Sequence, residues 1–228
     1  MDRFKMTRST LATLLISLRE QYEKTPLEII EDALDSNDPL QQINLSPLLI
    51  KISKLKPETA GLSINEIANL GNLLEYAMVT STAIQNWVKR DIKELIGAPM
   101  HGKKYSIDQA AILFIVEDLK VVLDFESIRK ALTMVFNNPA DRSDDIIDPV
   151  YFYKGYADIF CHLYKQDLND QLEKRIEAKV QQFILSLNID PIHHEKVKKL
   201  LSISVLSIFS SCFHSKAKSL MQKTILES

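Results

Sequence analysis

The chain has 228 residues, 46% of them hydrophobic, and a formal net charge of −2, which is enough apolar content for one large or two small cores. Five glycines, eight prolines and little β-branched alternation exclude a loop-rich β architecture and point to a mostly helical protein. Two cysteines, Cys161 and Cys212, cannot build a disulfide framework, and no signal-peptide pattern opens at Met1, so the expected location is the cytoplasm.

Residues 1–61 read as a helical preface. Ser9 or Thr10 can cap a helix with Leu11, Leu14, Leu15, Leu18 and Tyr22 on one face. Thr25-Pro26-Leu27-Glu28 is a capping box with proline in the first turn, and Ser46-Pro47 begins a third helix through Leu48, Leu49, Ile50 and Ile52. Each stripe is too narrow to stand alone, so the preface is expected to pack as a collar on the helices that come after it in the chain.

Residues 62–139 carry the chemistry. Ser63 with Glu66 caps a helix expected to run from Ile64 to Ala77, with Gly71 inside it marking either a kink or a close approach. Thr80 sits at the N-cap of a short helix that places Ile84, Trp87 and Val88 on one side. Ser81, Thr82, Gln85, Asn86, Lys89 and Lys93 then fall on the outer side, and Thr80 and Arg90 join them as candidate DNA contacts. Hydroxyls, amides and cations there suit base edges and phosphates, because Gln and Asn can pair two atoms of adenine while Lys and Arg neutralise phosphate. Gly97, Pro99 and Gly102 break the helix before a basic tip of Lys103, Lys104 and Tyr105, and Ser106 with Gln109 caps the next helix. The segment Val79 to Tyr105 has a net charge of +3 in a chain of −2, which marks a defined patch rather than general polyanion affinity. An apolar helix from Ile107 to Val122 is expected to be central and buried, and Asp124 caps the helix after it.

These residues resemble the DNA-binding domain of MerR-type regulators. The likeness lies in a helix after a turn, a Pro/Gly loop, the Gly102-Lys103-Lys104-Tyr105-Ser106 run into a helix, and the Asp124-Phe125-Glu126-Ser127-Ile128 helix start. Thr82 to Phe136 is most similar to an uncharacterised group of bacterial MerR-like proteins. The resemblance spans roughly residues 62–136 and implies an all-α fold with a small wing, that is, a winged helix-turn-helix joined to a C-terminal helical domain. It further implies a transcription regulator, of repressor type, binding a palindromic double-stranded DNA operator as a homodimer. The chain departs from the pattern in two places: fifteen positions separate Ile64 from Val79, and Gln85-Asn86 stands where Arg and an aromatic residue are usual.

Residues 140–149, with Asp141, Asp144, Asp145 and Asp148, read as a solvated acidic linker, since the run lacks the glycine and distal glutamate of a calcium loop. In residues 150–228, aromatics from Tyr151 to Tyr164 either line a pocket for a small-molecule effector or form core or a subunit contact. Leu168, Leu172, Ile176, Val180, Phe183 and Leu187 repeat at three to four positions, as a dimerisation helix would. Leu200 to Phe213 reads as a buried helix too short to span a membrane. Cys161-His162 and Cys212-x-His214 diverge on a helix and cannot close on one ion. No catalytic motif, metal site or cofactor is expected, and neither is a membrane partner. A protein-interaction module on the same scaffold is the alternative reading.

Overall fold

Thr7 rather than Ser9 or Thr10 starts the first helix of the computed structural model, which describes residues 4–35, 46–100, 102–137, 142–166 and 171–226; the Thr7 side chain accepts a hydrogen bond from the Thr10 amide. Helix α1 (Arg8–Arg19) buries Leu11, Leu14, Leu15 and Leu18, and also Arg8, Ala12, Ile16 and Ser17. Burial on nearly every side makes it a central strut against α2 (Pro26–Asp35), α7 (Ile107–Leu119) and α9 (Pro149–Tyr164), instead of the outer collar that its leucine stripe suggested. The caps of the next elements agree with the sequence reading. Thr25 and Glu28 bond reciprocally ahead of α2, and Ser46 caps α3 (Pro47–Ser53). Ser63 and Glu66 close a full capping box on α4 (Ile64–Gly71).

Helix α4 ends at Gly71, short of the expected Ala77. The chain leaves the helix to pair with the N-terminal segment: the Met6 amide donates to the Leu73 carbonyl at 2.8 Å, and the Glu75 amide to the Met6 carbonyl at 3.2 Å. Gly71 answers to a close approach by a loop residue, since a Cβ there would lie 2.8 Å from Val79 Cγ2. Among the described residues there are two isolated bridges, Met6 with Leu74 and Leu62 with Tyr105, and no strand. The fold is therefore mostly helical. After α5 (Ser81–Asn86) and α6 (Lys93–Ile96) the chain continues through α7, α8 (Phe125–Thr133), α9, α10 (Leu172–Leu185) and α11 (His194–Leu226).

A single cluster of buried side chains runs from Met6 through α7 and α9 to Cys212, so the boundaries read from composition do not separate cores. The acidic segment is fastened where it is described: the Asn137 amide donates to Asp145, the Ile146 amide to the Val135 carbonyl, Ile147 is buried, and Asp148 caps α9. Asp148 and Asp108 both take Arg19, tying the end of α1 to the starts of α9 and α7. Asp141 lies outside the described residues. Most aromatics of α9 are core: Phe152, Tyr153, Tyr156 and Phe160 are buried, Tyr164 is half-buried and Tyr151 is exposed.

Helix α10 corrects the expected subunit seam. Ile176, Val180 and Ile184 are buried against α9 and α11 of the same chain, and Leu172, Phe183 and Leu187 lean on that core. Phe183 lies so close to Gly155 that a Cβ there would be 2.2 Å from Phe183 Cε1. The apolar repeat is spent within the protomer, because α9 and α11 offer it a matching surface. Leu168, also assigned to the seam, lies outside the described residues. Helix α11 is 33 residues long, well beyond the Leu200–Phe213 stretch. It is long and apolar enough to cross a membrane by length and composition, and 50% of the stretch that meets that test is buried inside the protein.

At the centre, Arg8 Nε and Nη2 each reach Asp118 Oδ1 at 2.8 Å, and Arg8 Nη1 donates to the Glu75 carbonyl at 2.7 Å. Tyr156 donates to the other Asp118 oxygen at 2.9 Å. Removing one partner of a buried pair leaves an uncompensated charge, which costs about 3–5 kcal/mol. Arg8→Leu is therefore expected to lower unfolding free energy by that much, and Arg8→Leu with Asp118→Leu by less than the sum of the two single changes, in a denaturant double-mutant cycle.

Beside this pair, burial pushes the Glu117 carboxyl up to about 7, against the pull of Lys120, whose Nζ lies 3.1 Å away. A carboxyl whose folded pKa is raised favours folding below its unfolded pKa and loses that contribution as pH rises through the folded value. Glu117→Gln should therefore gain stability relative to the parent between pH 5 and pH 8, by on the order of 3 kcal/mol if the whole shift is realised. Thermal melts across that range measure the difference; parallel curves would show that Glu117 does not titrate in it.

Candidate nucleic-acid interface

Between α4 and α7 the chain builds a small, well-anchored helical unit. Thr80 caps α5, its hydroxyl accepting from the Ala83 amide at 3.1 Å. Residues Trp87–Asp91 continue as a π-turn, closed by the Ile92 amide on the Trp87 carbonyl at 2.9 Å, and α6 comes next. At about 100° per residue an unbroken α-helix would set Trp87 and Ile92 roughly 140° apart. The wider π-turn narrows that angle, so Trp87, Val88, Ile92, Leu95 and Ile96 are all buried.

Trp87 is the anchor. It is 5% exposed, its ring lies 6.0 Å from that of Phe125, and Lys120 Nζ stands 5.3 Å over its face. From α8, Arg129 donates to the Asp91 carbonyl and pins the end of the π-turn. With the inner side held this way, Thr80, Thr82, Gln85, Asn86, Lys89, Arg90 and Lys93 are exposed and Ser81 is half-buried. The outer face read from the sequence is thus presented as a set, on a helix interrupted by the π-turn.

The basic tip is held to the same frame. Gln109 completes the Ser106 capping box and donates to the carbonyls of Ile96 and Ala98 at 2.8 and 2.7 Å, so it fixes both the end of α6 and the loop after it. Leu62 and Tyr105 exchange two backbone hydrogen bonds of 2.9 Å, which return the loop to the start of α4. Gly97 and Gly102 take positive φ values of 69° and 65°, a region that glycine enters without strain. Lys103 is exposed and Lys104 half-buried, and among the described residues Lys89, Lys93, Lys103 and Lys104 form no ion pair. Tyr105 is a correction: it is 6% exposed, its hydroxyl pKa raised by burial, and it is a scaffold residue instead of a contact.

The segment joining α4 to α5 was not legible in the sequence. Asn72 brackets it, donating to the Val79 carbonyl at 2.7 Å and accepting from the Val79 amide at 2.9 Å. Between these ends Tyr76 takes φ 59° and points its hydroxyl at that of Tyr164, 3.3 Å away. A bulky residue in the left-handed region is uncommon and is held there by its surroundings. An asparagine directly after a helical glycine was the available signal for this turn.

Trp87→Ala should destabilise the protein by about 3–5 kcal/mol, since it empties a core site. Gly71→Ala should displace Val79 and the Thr80 cap. Hydrogen exchange would then report faster opening of residues 79–91 in the Gly71 variant, while α1 and α9 keep their protection.

A family model described as a domain of unknown function (DUF1836) matches residues 57–156, which include this unit and most of the helices that hold it. Over 225 residues, 95% of this chain and 96% of the other, the sequence is 40% identical to a Bacillus subtilis (strain 168) protein named Uncharacterized protein YkrK. No solved structure matches.

Proposed function

The chain belongs to the DUF1836 family, and we propose that it is a DNA-binding transcription regulator of winged helix-turn-helix type, with α5 and its π-turn as the recognition helix and residues 97–105 as a reduced wing. The observation that carries this reading is the division of α5 and the π-turn. Ile84, Trp87 and Val88 are locked into the core, while two amides, hydroxyls and the cations Lys89 and Arg90 face outward from a rigid mount, with Lys93 of α6 exposed beside them. A recognition helix needs a fixed inner face, so that side chains reach base edges in a set register. Lys89, Arg90, Lys93, Lys103 and Lys104 would meet phosphates, and Gln85 and Asn86 would read bases.

We take the mode of action to be repression from a palindromic operator, which requires two copies of the reader. A second reading, a protein-interaction module on the same mount, draws on the nine residues between α4 and α5. That turn is longer than the three or four residues usual in a helix-turn-helix.

Binding to specific and random duplexes at several salt concentrations separates the two. Lys103→Ala with Lys104→Ala should weaken binding to every sequence alike and flatten the salt dependence by up to about two units of slope. Gln85→Ala or Asn86→Ala should lose about 1–3 kcal/mol on the operator and little on random DNA. If the ratio of operator to random affinity is unchanged in both amide variants, the helix is no sequence reader and the interaction module stands in its place.

A further inference from the structure

Helix α11 carries its apolar side chains on opposite sides in its two halves. Up to Cys212 the packed side faces inward: Leu201, Ser204, Ile208 and Cys212 are buried and lie between about 180° and 260° around the axis from Phe213. Beyond Cys212 that inward direction holds Ser215, Ser219 and Gln222. The apolar residues move to the outer side, which opens at Leu206, 39% exposed, and continues through Phe213, Leu220, Met221 and Ile225 at 47%, 66%, 60% and 60%. Every side chain from Lys216 to Ile225 is exposed, so no part of the described protein covers this side. The packed first half carries the helix on into the second, a stretch too short to hold as a helix in water by itself.

We infer that the last part of α11, from Phe213 to Ile225, is a docking surface for an anionic lipid bilayer, on which it lies flat. Charge supplies the first argument: between Lys196 and Leu226 the chain has lysines and no acidic residue, in a protein whose net charge is −2. The placement of those lysines supplies the second. Leu220, Phe213, Thr224, Ala217, Met221 and Ile225 span an arc of about 140°, interrupted by His214. Lys218 borders the arc beside Ile225, and Lys216 and Lys223 border it beside Leu220. Lysines at both margins can run their stems along an apolar strip and hold their ammonium groups at headgroup level. Lys216 stands over Tyr164 of its own chain, its Nζ 5.0 Å from the ring centre, which leaves Lys218 and Lys223, one at each margin, to meet lipid phosphates.

The shape of the strip selects a flat surface over a groove. A helix seated in a protein groove sets large anchors along the middle of its apolar face. Here the middle is Thr224 and Ala217, and the bulk stands to either side, Leu220 and Phe213 on one and Met221 and Ile225 on the other. Such a strip enters the boundary between headgroups and acyl chains to a shallow depth across its whole width. Duplex DNA would use the lysines and leave these four side chains wet. A membrane partner is not expected where the criterion is a spanning segment, but lying in the interface makes a different demand. Phe213 to Ile225 extends about 20 Å, enough for contact along a bilayer and too little to cross one.

The inference does not depend on the operator reading, and its test contains no DNA. The full chain is centrifuged with vesicles of phosphatidylcholine alone, or of equal parts phosphatidylcholine and phosphatidylglycerol, at low and at high salt. Partitioning should be at least tenfold stronger on the mixed vesicles at low salt and should fall as salt screens the lysines. Leu220→Glu should cut it at least tenfold with the melting temperature unchanged, since the Leu220 side chain is exposed. Lys218→Gln with Lys223→Gln should remove the preference for the anionic lipid, and Lys218→Arg with Lys223→Arg should keep it. Lys103→Ala with Lys104→Ala should leave vesicle binding intact, which separates this surface from the basic tip before α7. A parent chain that does not bind the mixed vesicles overturns the inference, and so does binding indifferent to Leu220→Glu. A chain that ignores vesicles and instead binds an acidic amphipathic peptide through Leu220 also overturns it and gives the surface to a protein partner.

Discussion

The buried contact between Arg8 and Asp118 is the constraint around which the helices are arranged. Two charges with side chains about 2% exposed survive burial only with nearly all their hydrogen-bonding capacity met. Burial works against the charged guanidinium and Asp118 more than offsets it, so the Arg8 pKa lies above its ordinary value. Meeting that capacity draws together α1, α7, α9 through Tyr156, and the Glu75 carbonyl in the turn beyond α4. An apolar cluster of the same size would tolerate a shifted helix. A fork of guanidinium donors on a carboxylate tolerates little, so the pair sets register as much as it adds stability.

The unit of α5, the π-turn and α6 inherits its position from this centre. Arg8 holds Glu75, and the neighbouring Tyr76 reaches Tyr164 at the end of α9. Tyr164 stacks on Phe160, whose ring meets Phe209 of α11 at 4.8 Å. Four residues after Tyr76, Thr80 starts α5. The turn that aims the outward polar face of α5 is thus held by the helices on which the C-terminal half is built. The left-handed backbone at Tyr76 is the local cost of that attachment.

The π-turn has a comparable origin. Trp87 and Val88 must stay inside, Ile92 must also stay inside, and a regular α-helix cannot satisfy both. The extra residue per turn resolves the conflict and leaves Lys89 and Arg90 at the bulge, outward and exposed. A packing requirement on the inner side therefore decides how the cations are displayed on the outer side.

The sequence by itself determined the helical class, the caps at Thr25, Ser46, Ser63, Thr80, Ser106 and Asp124, and the outward set from Thr80 to Lys93. All of these rest on interactions within four residues, where side-chain chemistry and helical period act directly. Only the tertiary structure decided what each apolar stripe covers. Leu172 to Leu187 and Leu206 to Leu220 look alike as repeats, yet the first packs on α9 and α11 and the second stays exposed. Periodicity shows that a face needs a partner and carries no information on which one. The end of α4 at Gly71, the π-turn and the burial of Tyr105 escaped local reading for the same reason: contacts with Met6, with Ile92's neighbours in the core and with Leu62 set them.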